Sequence, residues 1–299
     1  MRNEETRRKR VNNMKLEKMF EQKRPVLSFE IYPPRMASAL KDIDETLEIL
    51  SELKPDFISV TFGAGGSERG RQTIELAKKI KYDYHIEPLV HLTCLNYDRQ
   101  EIDAFTKEMK ENGIENILAL RGDRNPDYPP KHDFEHASDL TSYLKQTGDF
   151  CVAGACYPEC HLESKDRVSD VRSLKTKVNA GASFLITQLF LDNSFFYSFE
   201  ENARIAGIKV PISAGILPVI NKAQIEKMVS ICGASLPDKF AKIINKFENN
   251  KEALFDAGMA YALNQVIDLL VNDVDGIHLY TMNNPAVARK LCEGIRHIL

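Results

Sequence analysis

The sequence predicts a (β/α)8 barrel, and three observations carry that prediction. About eight short apolar or alternating runs recur along the 299 residues, amphipathic helical stretches separate them, and neither a low-complexity linker nor a repeat of roughly 20 to 50 residues divides the chain. A doubly wound open sheet is the alternative reading of the same rhythm.

In order, the strand-like runs are Val26–Tyr32, Asp56–Phe62, Pro88–Cys94, Glu115–Arg121, Phe150–Tyr157, Ser183–Phe190, Val210–Ile216 and Val274–Thr281. Each is of strand length, and between them the period changes from two to that of a helix. Leu40, Ile43, Leu47 and Leu50 form one helical face after the first run, and Val168, Val171, Leu174 and Val178 form another after the fifth. The seventh crossover, Leu217 to Asp273, is the longest, with helical patterns at Lys222–Ile231, Asp238–Lys246 and Glu252–Leu270 and a turn at CGASLP, Cys232–Pro237. The last helix starts from Asn284 as N-cap with Pro285 in its first turn, and lines Val287, Leu291, Ile295 and Ile298 along one side.

Ahead of the barrel, assigned to residues 25–299, residues 1–24 form a basic helical extension. Arg7, Arg8, Lys9, Arg10, Lys15, Lys18, Lys23 and Arg24 are interspersed with Glu4, Glu5, Glu17 and Glu21, the mixture of a solvated helix. Met14, Leu16, Met19 and Phe20 add an apolar stripe suited to the barrel bottom or to a subunit contact.

With 43% hydrophobic and 28% charged residues the chain can bury a large core, which excludes disorder. A net charge of -3 and a pI near 6.2 leave no global basic field for nucleic acid, so small or neutral partners are expected. No window approaches the roughly 18 uninterrupted apolar residues of a membrane span, and Met1 to Arg24 lacks a signal-peptide core, so a cytoplasmic protein is expected. Six cysteines between Cys94 and Cys292 are too sparse for a secreted disulfide framework and read as reduced thiols. Cys156, Cys160 and His161 make a C-x3-C-H cluster, but as one half-site without a second pair it reads as core cysteines and a strand-end histidine; no metal is assigned.

Barrel enzymes build their sites at the carboxyl ends of the strands, which makes polar residues there informative. Glu30, in LSFEIY, would face the barrel interior, where an unpaired carboxylate is costly; it has either a task or a structural salt bridge. Thr61 leads into the glycine-rich loop Phe62–Ser67, which lets backbone approach a ligand closely. That loop is not a dinucleotide fingerprint, and the P-loop, H-E-x-x-H and G-x-S-x-G motifs are absent from the chain. The third run ends in His91, Thr93 and Cys94. The fourth ends in Arg121, Gly122 and Asp123, a phosphate-recognising fork beside an anion, or else an intra-loop salt bridge. Tyr157 ends the fifth run and His161 follows it, Thr187 and Gln188 lie near the end of the sixth, and His278 and Tyr280 near the end of the eighth. Glutamine both donates and accepts, which suits a heterocycle edge.

Eight motifs, together and in order, resemble the methylenetetrahydrofolate reductase family: SFEIYPPR (Ser28–Arg35), FISVTFGAGGS (Phe57–Ser67), HLTC (His91–Cys94), LALRGD (Leu118–Asp123), YPECH (Tyr157–His161), NAGASFLITQLFLD (Asn179–Asp192), GILPV (Gly215–Val219) and HLYTMN (His278–Asn283). The resemblance spans Val26 to about Ile295. It implies an FAD-dependent (β/α)8 oxidoreductase of one-carbon metabolism and methionine biosynthesis. Such an enzyme reduces 5,10-methylenetetrahydrofolate to 5-methyltetrahydrofolate by ping-pong hydride transfer, with NADH as donor.

By the same resemblance, Glu30 is the acid that opens the imidazolidine ring, with a pKa raised from about 4.3 toward neutrality. Asp123 tunes the flavin and stabilises the cationic iminium, and Gln188 bonds to nicotinamide or pterin. FAD contacts are implied at Thr61, His91, Arg121, Gly122, Asp123, Tyr157, His161, Asp170 and Lys177, with Ala182 packed beneath. Glu30, Gln188, Met228 and Tyr280 are the implied substrate contacts. The chain departs from the family at Ser173, where asparagine is frequent, at Asn284, where arginine follows YTMN, and at Met228, where an aromatic residue covers the nicotinamide. The last two leave delivery of electrons by a ferredoxin or partner flavoprotein as the alternative to NADH. A pterin-binding methyltransferase barrel without FAD is the competing class; a non-catalytic barrel would lack Glu30 or Asp123. A homo-oligomer is expected, without nucleic acid, and without the regulatory domain through which larger eukaryotic relatives respond to S-adenosylmethionine.

Overall fold

The computed structural model describes residues 14–22, 24–34, 40–62, 66–124 and 129–299, the side chains of 40, 41 and 66–69 excepted. In chain order the elements are α1 (Glu17–Gln22), β1 (Val26–Ile31), α2 (Leu40–Glu52), β2 (Phe57–Val60), α3 (Gly66–Tyr82), β3 (Glu87–Thr93), α4 (Arg99–Glu111), β4 (Asn116–Leu120), α5 (Ala137–Thr147), β5 (Cys151–Cys156), α6 (Arg167–Asn179), β6 (Phe184–Thr187), α7 (Asn193–Ile205), β7 (Ile212–Ile216), α8 (Lys222–Cys232), α9 (Asp238–Phe247), α10 (Lys251–Val271), β8 (Gly276–Tyr280) and α11 (Pro285–Ile295). Neighbouring strands are parallel, and β8 closes onto β1 with Val26 opposite Gly276 and Glu30 opposite Tyr280. A closed barrel replaces the open-sheet alternative.

The period of two along each strand sorts its side chains into two cores. Leu27, Phe29 and Ile31 of β1 point outward and join Ile43, Leu47 and Leu50 of α2 and Ile74, Ala77 and Ile80 of α3 between sheet and helices. Val26 instead packs inside the barrel with Phe57, Leu89, Leu118, Ala153, Phe184 and Ile186. The same alternation turns Ser28 and Glu30 inward.

Leu16 and Phe20 complete this inner cluster from below, the Phe20 ring centred 4.9 Å from that of Phe184. Asn116, at the start of β4, ties the segment down: it accepts from Leu16 N at 2.9 Å and donates to Met14 O at 3.1 Å. Beside it, Lys81 donates to both oxygens of Glu87 at 2.8 and 2.9 Å, so these buried charges are paired. The described part of the extension therefore plugs the barrel bottom. Arg7 to Arg10 and Lys23 lie outside the described residues.

Side chains cap several helix starts. Asp98 and Glu101 form a capping box on α4, Asp166 and Ser169 one on α6, and Asn284 caps α11 with Pro285 at its first position. Two expected face residues differ. Val168 is exposed because it sits in the first turn of α6, at the open end of the barrel, and Ile298 is exposed because α11 has ended before it. By length and composition alone α10 is apolar enough to cross a bilayer, yet Met259, Ala262, Val266 and Leu269 bury one face against the barrel core, so its hydrophobicity has a packing cause.

Candidate active site

The carboxyl ends of the strands surround a mouth of about 410 Å³. A second cavity of about 550 Å³ opens beside it, between the starts of α5 and α6, and the two share Leu120, Arg121, Ala155, Tyr157 and His161 as a common wall.

Interior parity gathers a polar cluster at the floor of the mouth. Glu30 Oε2 lies 3.5 Å from His91 Nε2 and 3.6 Å from His278 Nε2. His278 is wholly buried; its Nδ1 lies 2.7 Å from Ser28 Oγ and its Nε2 3.5 Å from Ser59 Oγ. Burial alone pushes the Glu30 carboxyl up, but the His278 hydrogen bond, the charges of His91 and His278 and the Ser59 hydroxyl together hold it below the ordinary carboxylate range. This corrects the expectation of a raised pKa: the carboxyl meets histidines and a hydroxyl rather than an apolar pocket. Burial takes His91 down to about 4, so near neutrality its ring is uncharged. Its Nε2 is buried without a hydrogen-bond partner, the 3.5 Å approach to Glu30 being too long for a good bond.

Above this floor the Tyr280 hydroxyl donates to Thr187 O at 2.7 Å. Gly215 leaves room for that ring, since a Cβ there would come within 2.8 Å of it and 2.3 Å of Thr187 O. Gln188 follows at the end of β6, its side-chain oxygen accepting from Leu189 N at 2.8 Å. Met228 and Cys232 of α8 reach the mouth from the long crossover.

At the rim, Gly122 has φ +89°, and an added Cβ would come within 3.0 Å of Thr93 Cβ, so the backbone there comes close to β3 in a conformation that favours glycine. Asp123 beyond it is exposed. Among the described residues, the ion-pair partner of Arg121 lies outside its own loop. Its Nη2 donates to Glu163 Oε1 at 2.9 Å, its Nη1 to Glu163 Oε2, and its Nε to Gly122 O at 3.2 Å. The ion pair thus joins the loops after β4 and β5.

Glu30, Thr61, His91, Arg121, Gly122, Asp123, Tyr157, His161, Gln188, Met228 and Tyr280 all line the mouth. Asp170, Lys177 and Ser173 line the second cavity instead. There Lys177 Nζ donates to Ala155 O at 2.6 Å and burial lowers its pKa, while Asp170 accepts from Ser164 Oγ at 2.8 Å. Ala182 is buried in the turn after α6. Burial raises the thiols of Cys156 and Cys160, and among the described residues no three His, Cys, Asp or Glu side chains are placed to hold a metal. Arg35 and Gly63 to Gly65 of the glycine-rich loop lie outside the described residues. Ser59, Glu163 and Cys232 were not anticipated at the site. Ser59 stands two residues after inward-facing Phe57 and was within reach of the parity argument; the other two arrive from non-strand segments that carry no such signal.

A carboxylate–histidine floor beneath an elongated double cavity, at the carboxyl ends of a (β/α)8 frame, defines a barrel enzyme that acts on an extended small molecule. Comparison with known proteins says which kind. The family model "MTHFR: Methylenetetrahydrofolate reductase" matches residues 15–296. The 5,10-methylenetetrahydrofolate reductases of Pectobacterium carotovorum subsp. carotovorum and Escherichia coli (strain K12) are each 36% identical to this chain over 272 residues, covering 90% of it and 90% and 91% of their own lengths. Methylenetetrahydrofolate reductase (NADH) 1 of Arabidopsis thaliana is 32% identical over 289 residues, 90% of this chain and 48% of that protein. A solved structure of an uncharacterized Clostridium thermocellum protein that binds two copies of 5-methyl-5,6,7,8-tetrahydrofolic acid shares the fold, with TM-score 0.63 and 15% identity over 96% of this chain and 100% of that one. The chain belongs to the methylenetetrahydrofolate reductase family. It is a TIM-barrel folate oxidoreductase.

Proposed function

We propose that this protein reduces 5,10-methylenetetrahydrofolate to 5-methyltetrahydrofolate in ping-pong order, with FAD as resident carrier and NADH as donor. The observation that carries the reading is the pair of contiguous cavities, one floored by Glu30 and its histidines and the other lined by Lys177 and Asp170. An elongated dinucleotide fits this shape. The residues present suit it too: His91 Nε2 is an orphaned polar atom at the mouth, and Arg121 and Lys177 are cations for phosphates.

Thr61, His91, Arg121, Gly122, Asp123, Tyr157 and His161 would hold FAD in the mouth, and Asp170 and Lys177 in the annex. Bound there, FAD would supply two-electron hydride storage between donor and folate. Glu30 delivers the proton that opens the imidazolidine ring to the iminium. To hold that proton near neutral pH its pKa must rise, and a ligand covering the mouth would raise it by excluding water from the carboxyl. His278, fixed by Ser28, orients Glu30. Asp123 faces the developing positive charge, while Gln188, Met228 and Tyr280 contact the substrates in turn.

NADH is favoured by the name of the Arabidopsis relative. Asn284, in place of an arginine, caps α11 by accepting from Ala286 N at 3.2 Å, so its departure has a structural cause. NADH should therefore still reduce the flavin, with weaker affinity than in relatives with the arginine and the aromatic residue. Anaerobic stopped-flow with FAD-reconstituted protein tests both halves. Protein that stays colourless with excess FAD removes the cofactor from the reading. Flavin that millimolar NADH leaves oxidised, while a reduced ferredoxin or flavoprotein reduces it, replaces the donor.

A further inference from the structure

Arg121 lines both cavities, and its partner Glu163 lines the second, so the ion pair lies where the two meet. Both terminal nitrogens of the guanidinium are taken by one carboxylate, and Nε is turned to Gly122 O. A planar fork presented in this way matches a phosphate as well as a carboxylate. Resting on the FAD reading above, we propose that Glu163 is a built-in stand-in for the cofactor's phosphates: it fills the Arg121 fork and is displaced when a phosphate arrives.

Three features suit Glu163 to this role. It is held in front of the fork by an ordered turn, its own N–H donating to His161 Nδ1 at 3.0 Å and Ser164 N to His161 O at 2.9 Å, so the carboxylate is presented rather than swept past at random. The His161 ring in turn rests edge-on against Tyr157 at 4.6 Å. Glu163 is 53% exposed against 22% for Arg121, so the carboxylate returns to water at little cost while the guanidinium stays lodged in the wall. Once it has swung out, the fork needs another anion, and a diphosphate brings more charge in the same bidentate geometry. The Arg121 hydrogen bonds hold the Glu163 carboxyl down to about 2, so the stand-in is ionised throughout the physiological range.

The exchange makes a measurable cost. A site whose fork is free only part of the time binds more weakly by that fraction. For an exposed bidentate pair worth about 1 kcal/mol the penalty is about fivefold in Kd.

Titrations of flavin fluorescence quenching with wild type and Glu163→Gln decide the matter. FAD should bind the variant about fivefold more tightly, while riboflavin, which has no phosphate, should bind both proteins equally. Unchanged or weaker FAD binding by the variant, or an equal gain for riboflavin, would overturn the proposal. Inorganic pyrophosphate, titrated calorimetrically, is the second probe. If neither protein takes up FAD the cofactor reading fails; tighter pyrophosphate binding by the variant then still upholds the displacement, and equal or absent binding overturns it. Should Glu163→Gln not fold, Glu163→Asp, whose shorter side chain reaches the fork less well, should move FAD and pyrophosphate affinities in the same direction.

Discussion

Acidification from pH 7 to pH 4 should unload one identifiable side chain. His91 is buried beneath the mouth, and burial lowers its pKa from 6.5 to about 4, with the Glu30 charge opposing the shift and His278 adding to it. Below pH 6.5 the unfolded chain takes up a proton that the folded chain refuses until about pH 4. The stability tied to the neutral ring is therefore complete above pH 6.5 and is lost as pH falls toward 4. At about 1.4 kcal/mol for each tenfold, that interval amounts to about 3 kcal/mol, a large share of a typical domain's stability. Glu30, whose carboxyl is held below its ordinary 4.5, contributes stability that is present above 4.5 and lost only below it, so the two effects occupy different pH windows. Urea unfolding at several pH values between 7 and 4 measures the loss, and His91→Asn, which cannot titrate, should flatten the curve by about the same 3 kcal/mol. Parallel curves for the two proteins across this range would refute the reasoning.

Further outcomes follow from the same geometry. Glu30→Gln should leave NADH-driven flavin reduction in place and slow folate reduction by about 10²-fold or more, the scale of a lost general acid; equal loss in both half-reactions would make Glu30 structural. Gln188→Ala should weaken both half-reactions, read separately by stopped-flow, and impairment of one alone would deny it a shared role. Phe20→Ala, which empties the ring packed on Phe184 at the barrel bottom, should cost about 3–5 kcal/mol in chemical denaturation with FAD affinity unchanged; undiminished stability would mean that α1 does not plug the barrel.

Much of the architecture was legible in the chain. The eight runs coincide with eight strands to within a few residues at each end, and the three helical patterns of the seventh crossover match α8, α9 and α10. Val168 and Ile298 escaped because periodicity shows a spacing but not where the supporting wall stops. The strand-end residues were legible as a set for the same reason as the strands: Glu30 and Ser28 stand two apart, as do His278 and Tyr280, so each pair shares one face of its strand.

What the sequence by itself determined, then, was the order of strands and helices and which side chains of each strand face inward, because both depend on spacing along the chain. Only the tertiary structure decided how those inward side chains meet. Closure of β8 onto β1 sets His278 3.6 Å from Glu30, while β3 brings His91 to 3.5 Å from the same oxygen. The direction of the Glu30 pKa depends on those neighbours rather than on burial alone, and so could not be read from LSFEIY. Arg121 likewise finds Glu163 across two loops instead of Asp123 two residues away. Charge interactions and hydrogen bonds fall off with distance in space, and barrel closure sets those distances between segments far apart in sequence.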